Sequence, residues 1–194
     1  DSDVPVSVDT AKADVAAAAL DAGAMVVNDV SAGRHDPGLF PLVADRGAGI
    51  VLMHMLGDPR TMQADPRYGD VVADVRDFLV ARAEAAAALG VAEVWIDPGI
   101  GFGKTTDHNL ALLAHLDLLV ASGFPVVLGT SRKRFLGELL ARADGRPAGE
   151  LVPVGDRLAG SLATAAWAMW HGAGMVRVHD VRATVVAAET IGGR

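Results

Sequence analysis

Six short apolar runs, each followed by a stretch of helical length, leave this chain few folds to choose from. The runs are residues 4–8, 25–30, 49–55, 93–97, 125–130 and 175–179. Between them lie Ala-rich or amphipathic segments such as 11–22, 70–89 and 108–121. In the last of these Leu110, Leu113, Leu116, Leu119 and Val120 share one side. Strands that stay apolar along their length are buried on both faces, and strands that alternate with helices make a parallel sheet. The predicted class is therefore α/β. The chain has 194 residues and no linker-like or low-complexity tract, which reads as a single domain over 1–194, with residues 144–154 as its one longer surface loop.

An open doubly wound sheet and a closed barrel both satisfy this alternation. The strand ends separate them. At or just past each run come polar residues: Asp9 and Thr10, Asn28 and Asp29, His54, Asp97, Ser131 with Arg132 and Lys133, and Arg177 with His179. An open sheet needs chemical groups only at its switch point, whereas all strand ends of a barrel converge on one mouth. Six polar ends out of six favour a TIM-type (β/α)8 barrel. That fold has eight strands, so about six of its eight βα units are present, and the expectation is that two N-terminal units are missing.

Residues 96–104, IDPGIGFGK, carry the sharpest motif. A branched apolar run stops on a carboxylate, Asp97, and continues into Pro98, three alternating glycines and Lys104. The GKT tail suggests a nucleotide phosphate loop, but that motif needs glycine where Pro98 stands. Two readings survive. Asp97 is the cap of a tight turn that the glycines permit, or it is a strand-end carboxylate beside a loop whose backbone approaches a ligand closely. Asp9 and Asn28 face the same choice, since either residue type also caps helices and turns. Together in one mouth, the two carboxylates and the amide suit a flat heterocycle with an amidine-like N–H edge.

Residues 129–135, GTSRKRF, place a hydroxyl and three cations just after a strand, where a helix N-terminus disfavours cations unless an anionic or electron-rich partner is near. Arg177 and His179 stand two apart on one run, so they share a face and could clamp an oxyanion or pyrophosphate. In the MHM triplet, alternation sends His54 to one face and Met53 and Met55 to the other. The remaining histidines show no ligand spacing. A net charge of −7 argues against a nucleic-acid surface, and the absence of cysteine excludes disulfides and thiolate metal sites. No run approaches the ~18 apolar residues of a membrane span, and no basic signal region opens the sequence, so a cytoplasmic setting is expected.

In order along the chain, SVDT, VVNDVSAG, MHMLGDPRTMQ, DPGIGFGKTTDHNLALL, GTSRKRFLG and RVHDV closely resemble the motifs of the dihydropteroate synthase family. The resemblance runs almost end to end. It implies a (β/α)8 barrel that joins 6-hydroxymethyl-7,8-dihydropterin pyrophosphate to p-aminobenzoate, with release of pyrophosphate, in folate biosynthesis. Sulfonamides would compete for the aminobenzoate position. By the same resemblance, Asp9, Asn28, Met53, Asp97, Phe102, Gly129 and Lys133 contact the pterin. Phe102, Ser131 and Lys133 border the aminobenzoate, and Arg177 with His179 take the pyrophosphate. The chemistry falls to Asp9, Asp97 and Lys133. Mg2+ would arrive with the substrate's pyrophosphate, with no metal ligand in this chain itself. The family's N-V-T-P-D-S-F-S and S-T-R-P loops, which belong to its first two strands, do not occur here. Their absence puts turnover by this chain in question.

Two other functions fit parts of the pattern. A pterin-binding methyltransferase module shares the barrel and the Asp/Asn/Asp grip, but has no use for Arg177, His179 and the SRK cluster. A non-catalytic pterin-binding or assembly module fits the missing units. Residues 155–170 show two apolar stripes, Leu158, Leu162, Ala165 and Met169 on one side and Ala163, Trp167 and Trp170 on another. A helix outside a barrel needs only one buried stripe, so the second predicts a homodimer contact or packing on a neighbouring helix.

Overall fold

The structure, a computed structural model, describes residues 4–58 and 60–192. Its six strands are β1 (Ser7–Asp9), β2 (Val26–Asp29), β3 (Gly49–Met53), β4 (Glu93–Asp97), β5 (Val127–Leu128) and β6 (Met175–Val176). β1 to β4 form one parallel sheet in chain order, and β5 pairs in parallel with β6. A parallel bridge between Ile96 and Val126 joins the two, reinforced by the Ile96 N–H donating to Pro125 O at 3.0 Å. Each strand thus lies beside the next one in sequence, with no reversal of order. A doubly wound sheet requires such a reversal; an arc of a barrel does not. The chain is an α/β fold forming six units of a TIM-type (β/α)8 barrel.

Eight helices among the described residues complete the units: α1 (Ala13–Asp21), α2 (Leu39–Asp45), α3 (Val71–Ala88), α4 (Thr106–Ala114), α5 (Leu116–Val120), α6 (Arg134–Ala143), α7 (Leu158–Trp170) and α8 (Val181–Thr190). α3 starts where Asp70 accepts from the N–H groups of Val72 and Ala73, and it buries Val71, Val72, Val75, Leu79, Ala83 and Ala86 at helical spacing. Every residue of β3 is buried, as a strand covered on both faces must be.

Met53, His54 and Met55 are all buried. Two expectations are corrected. The helix over 108–121 is two helices, because the chain leaves helical geometry at His115 (φ −115°, ψ 33°). In α7 the buried stripe is Ser161, Ala165 and Ala168, not the one through Leu158 and Leu162. A Cβ on Gly160 would stand 3.2 Å from Leu136, so α7 approaches α6 too closely for large side chains to lie between them. Leu158, Trp167 and Trp170 point outward, and Val181, Val185 and Val186 of α8 are exposed as well.

Candidate functional site

The carboxyl ends of the strands bring six of the predicted residues together. Asp9 and Asn28 are register partners on β1 and β2, and the Asn28 amide donates to Asp9 Oδ1. Arg177 Nη1 lies 3.3 Å from the same Asp9 oxygen. Gly129 sits between the remaining groups: a Cβ there would be 3.7 Å from Arg177 Nε and 4.0 Å from Asp97 Oδ2. Lys133 and Arg177 both act electrostatically on Asp97. Asp29, the next residue on β2, is used differently. It is fully buried and accepts from Ser31 N, Ser31 Oγ and Gly33 N, capping its own loop.

Asp97 caps its turn and also faces the mouth. One carboxylate oxygen accepts from the Gly99 N–H at 2.7 Å, as a turn cap does, while the other faces Gly129 at the mouth. Burial pushes its pKa up, against the pull of Lys133, the Gly99 bond, Arg177 and Lys104. The glycines that follow are a steric necessity. Gly99 (φ +65°) could carry a Cβ only 1.9 Å from His54 O, and Gly103 (φ +62°) only 2.7 Å from Leu56 O. The loop after β4 is laid against the backbone after β3.

Two cavities meet at Lys133. A cleft of about 640 Å³ includes Phe102, Ile100, Thr106, Asn109, Lys133 and Glu138 in its lining. A smaller one of about 300 Å³ is lined by Asp9, Gly129, Ser131, Lys133, Arg177, Val178 and His179. The Lys133 ammonium donates to Ile100 O and lies 4.6 Å from the centre of the Phe102 ring. Burial lowers its pKa to about 8, with Asp97 opposing and Arg177 adding to the drop. Ser131 lines the smaller cavity and is not among the lining of the larger one, where Phe102 lies. Its Oγ accepts from the His179 N–H at 3.1 Å and lies 3.0 Å from His179 Nδ1. Arg177 and His179 fall beyond β6, which ends at Val176, yet both face this cavity. Met53 is 1% exposed beneath Gly99 and lines neither cavity.

Sequence reasoning missed the residues that hold these loops. Arg132 adopts φ +59° and forms a two-pronged pair with Asp180, at 3.0 and 2.6 Å, tying the loop of Lys133 to the loop of Arg177 and His179. The pairing raises the Arg132 pKa and lowers that of Asp180. Buried Arg157 donates to Arg132 O and Val152 O, each at 2.9 Å. The Asp of the HDV motif could have suggested a partner for an arginine; nothing in the sequence marks Arg157. Lys104 was set aside with the phosphate-loop motif, yet it is buried at the root of the glycine loop. Among the described residues no group of three or more His, Cys, Asp or Glu side chains could hold a metal ion.

Fold and site together define a partial (β/α)8 barrel whose strand ends gather carboxylate, amide, lysine and arginine side chains at one polar mouth. The chain belongs to the pterin binding enzyme family, whose pattern matches residues 1–179. It is 51% identical over 193 residues to the dihydropteroate synthase of Mycobacterium leprae, covering 97% of this chain and 66% of that protein. The dihydropteroate synthase of Thermus thermophilus in complex with 4-aminobenzoate superposes with a TM-score of 0.88 at 46% identity, covering 97% of this chain and 70% of that one. The same enzyme in complex with 6HMPPP gives 0.88 at 46%, with 97% and 72% covered. The chain spans 66% and 60% of the first two curated relatives it matches.

Proposed function

We propose that this chain is the greater part of a dihydropteroate synthase barrel. It would bind 6-hydroxymethyl-7,8-dihydropterin pyrophosphate and p-aminobenzoate for condensation to 7,8-dihydropteroate and pyrophosphate. The observation that carries this reading is the meeting of Asp9, Asn28, Asp97, Lys133 and Arg177 at one mouth, with Lys133 shared between two cavities. Asp9, Asn28 and Asp97 would hold the N–H edge of the pterin, with Gly129 leaving room beside them. Met53 would support the ring from below. Arg177 and His179 would take the pyrophosphate, with Ser131 fixing the His179 backbone. The aryl amine would enter the larger cleft beside Phe102 and Lys133, with Ser131 in the adjoining smaller cavity.

The reaction asks little covalent chemistry of the protein. The C–O bond to the pyrophosphate breaks with its electron pair leaving on the phosphate oxygen. The amine nitrogen then bonds to the pterin methylene and sheds a proton. Arg177 and His179 would stabilise the leaving charge, while Asp9 and Asp97 favour the cationic pterin. Mg2+ would enter bound to the pyrophosphate oxygens, which suit its preference for phosphate ligands. A cytoplasmic homodimer is part of this reading, with exposed apolar residues of α7 and α8 such as Trp170, Val181 and Val185 as candidates for its contact. No described helix is long and apolar enough to cross a membrane. The unit proposed is a single domain over 1–194.

Calorimetric titration with the pterin pyrophosphate beside a synthase assay tests the proposal. Binding with turnover supports it in full. Binding without turnover leaves a pterin-binding module. No pterin binding at all would sink it.

A further inference from the structure

Lys104 turns its charge away from solvent, into a buried polar cluster. Its ammonium lies 2.9 Å from His54 Nδ1, 3.1 Å from Gly99 O, 3.1 Å from Phe102 O and 3.4 Å from His54 O. The residue is 3% exposed. An ammonium has three N–H bonds, so the three nearer acceptors saturate it. They come from two elements, the end of β3 and the glycine loop after β4. None is a carboxylate; Asp97 offsets the charge from further away.

Burying an ammonium against neutral acceptors is costly, and the strain shows in the titration of the cluster. Burial brings the Lys104 pKa down to about 7, with Asp97 opposing and Lys133 adding to the fall. His54 is held neutral, its pKa lowered to about 3 by burial, Lys104 and Arg34, so Nδ1 is free to accept. The turn itself does not require this cluster, because Gly99 and Gly103 already permit its backbone. What Lys104 adds is a fixed position for two carbonyls, Gly99 O and Phe102 O. Between and beside them lie the two groups that Lys133 touches, Ile100 O and the Phe102 ring.

We propose that Lys104 is a positioning residue: its ammonium ties the end of β3 to the glycine loop and so holds the Phe102 ring and Ile100 O against Lys133. It would thereby set the affinity for an aryl ligand entering the larger cleft. The affinity part rests on the reading that p-aminobenzoate enters the larger cleft beside Phe102 and Lys133. The same loop is also braced by Tyr68 OH donating to Gly103 O at 2.8 Å, by the Gly101 N–H donating to Asn109 Oδ1 at 2.8 Å, and by Gln63 donating to Gly101 O. Lys104→Met is therefore expected to fold, with residues 99–103 loosened.

The test compares the full chain with Lys104→Met and with His54→Phe, which removes the Nδ1 acceptor but fills the slot against Phe78. Each is titrated with p-aminobenzoate and with inorganic pyrophosphate, and amide hydrogen exchange is followed at 99–103. In Lys104→Met the Kd for p-aminobenzoate should rise about tenfold or more, that for pyrophosphate should stay within about twofold, and loop exchange should accelerate about tenfold, 1.4 kcal/mol each for the tenfold changes. His54→Phe should show the same pattern at about threefold. It carries the test alone if the methionine variant does not fold. A lysine that merely stabilises the fold would lower the melting temperature and weaken both ligands alike; that result, or unchanged loop exchange, overturns the proposal. Should the unaltered chain bind neither ligand, the functional reading fails by itself, and loop exchange alone then decides whether Lys104 holds the loop.

Discussion

The two sides of the mouth solve the same electrostatic problem in opposite ways. On the β3–β4 side, Asp97, Lys104 and His54 are all under 7% exposed, and the charges of Asp97 and Lys104 act on each other through protein. On the β6–β1 side, Arg177 and Asp9 have side chains 48% and 70% exposed and meet at 3.3 Å through water-facing atoms. An exposed ion pair contributes about 0–1 kcal/mol and is screened by salt, whereas removing one charge from a buried cluster strands the others. The difference teaches which wall is built before a ligand arrives. The buried side has fixed carbonyls and fixed donors; the open side has long side chains free to rearrange around an anion.

The contrast breaks first at Gly99. Gly99→Ala would force a Cβ to 1.9 Å from His54 O at φ +65°, and the buried wall should lose about 3 kcal/mol or more of stability, a fall in Tm of roughly 6–12 °C for a chain of this size. A Tm within 2 °C of the parent, measured by calorimetry, would mean the two loops are not packed as described. Next comes Asp97→Asn. Asparagine still accepts from Gly99 N–H but leaves Lys133, Lys104 and Arg177 without their shared carboxylate. The Kd for the pterin pyrophosphate should rise about 100-fold, or about 2.7 kcal/mol.

Lys133 stands between the two sides and should report pH. Its pKa in the folded chain is about 8, below the usual lysine value, so its positive charge is present below pH 8 and lost as pH rises through it. Pyrophosphate affinity should therefore weaken above pH 8, by up to about tenfold per pH unit, in the parent relative to Lys133→Met, whose comparison cancels the titration of pyrophosphate itself. Equal pH profiles would remove Lys133 from the anion cavity. The linked effect on folding has the opposite direction: the unfolded chain holds this proton more tightly, so the contribution of Lys133 to stability rises from pH 8 towards 10.5. The smallest effect belongs to the open side. Asp9→Asn should change folding stability by less than about 0.5 kcal/mol, with the difference shrinking as salt is added, because the pair it breaks faces solvent. A loss of several kcal/mol in a urea titration would show the two sides to be alike.

Much of this was legible in the order of residues. The continuous apolar character of 49–53 and 93–97 announces strands covered on both faces, and both segments are buried as expected at nearly every position. Polar residues at six strand ends announced a single mouth, and the pairing in chain order agrees. The short strands were not legible. β5 and β6 each keep two residues, although the Arg177 N–H still donates to Leu128 O at 2.9 Å and Val126 bridges to Ile96 of β4, so apolar composition overstated their length. The phase of α7 was also misread, since hydrophobicity identifies a stripe but closeness to α6 selects small residues to fill it.

By itself, the sequence determined the alternation of strand and helix, the strand-end carboxylates and the glycines that let the loop after β4 bend, because these depend on side-chain polarity and backbone freedom residue by residue. Only the tertiary structure decided what faces what. It turned Lys104 inward onto carbonyls of two loops, joined Arg132 to Asp180 across 48 residues, and left Arg177 and Asp9 in solvent. The reason is that burial and distance set the strength of a charge, and neither is a property of any one residue.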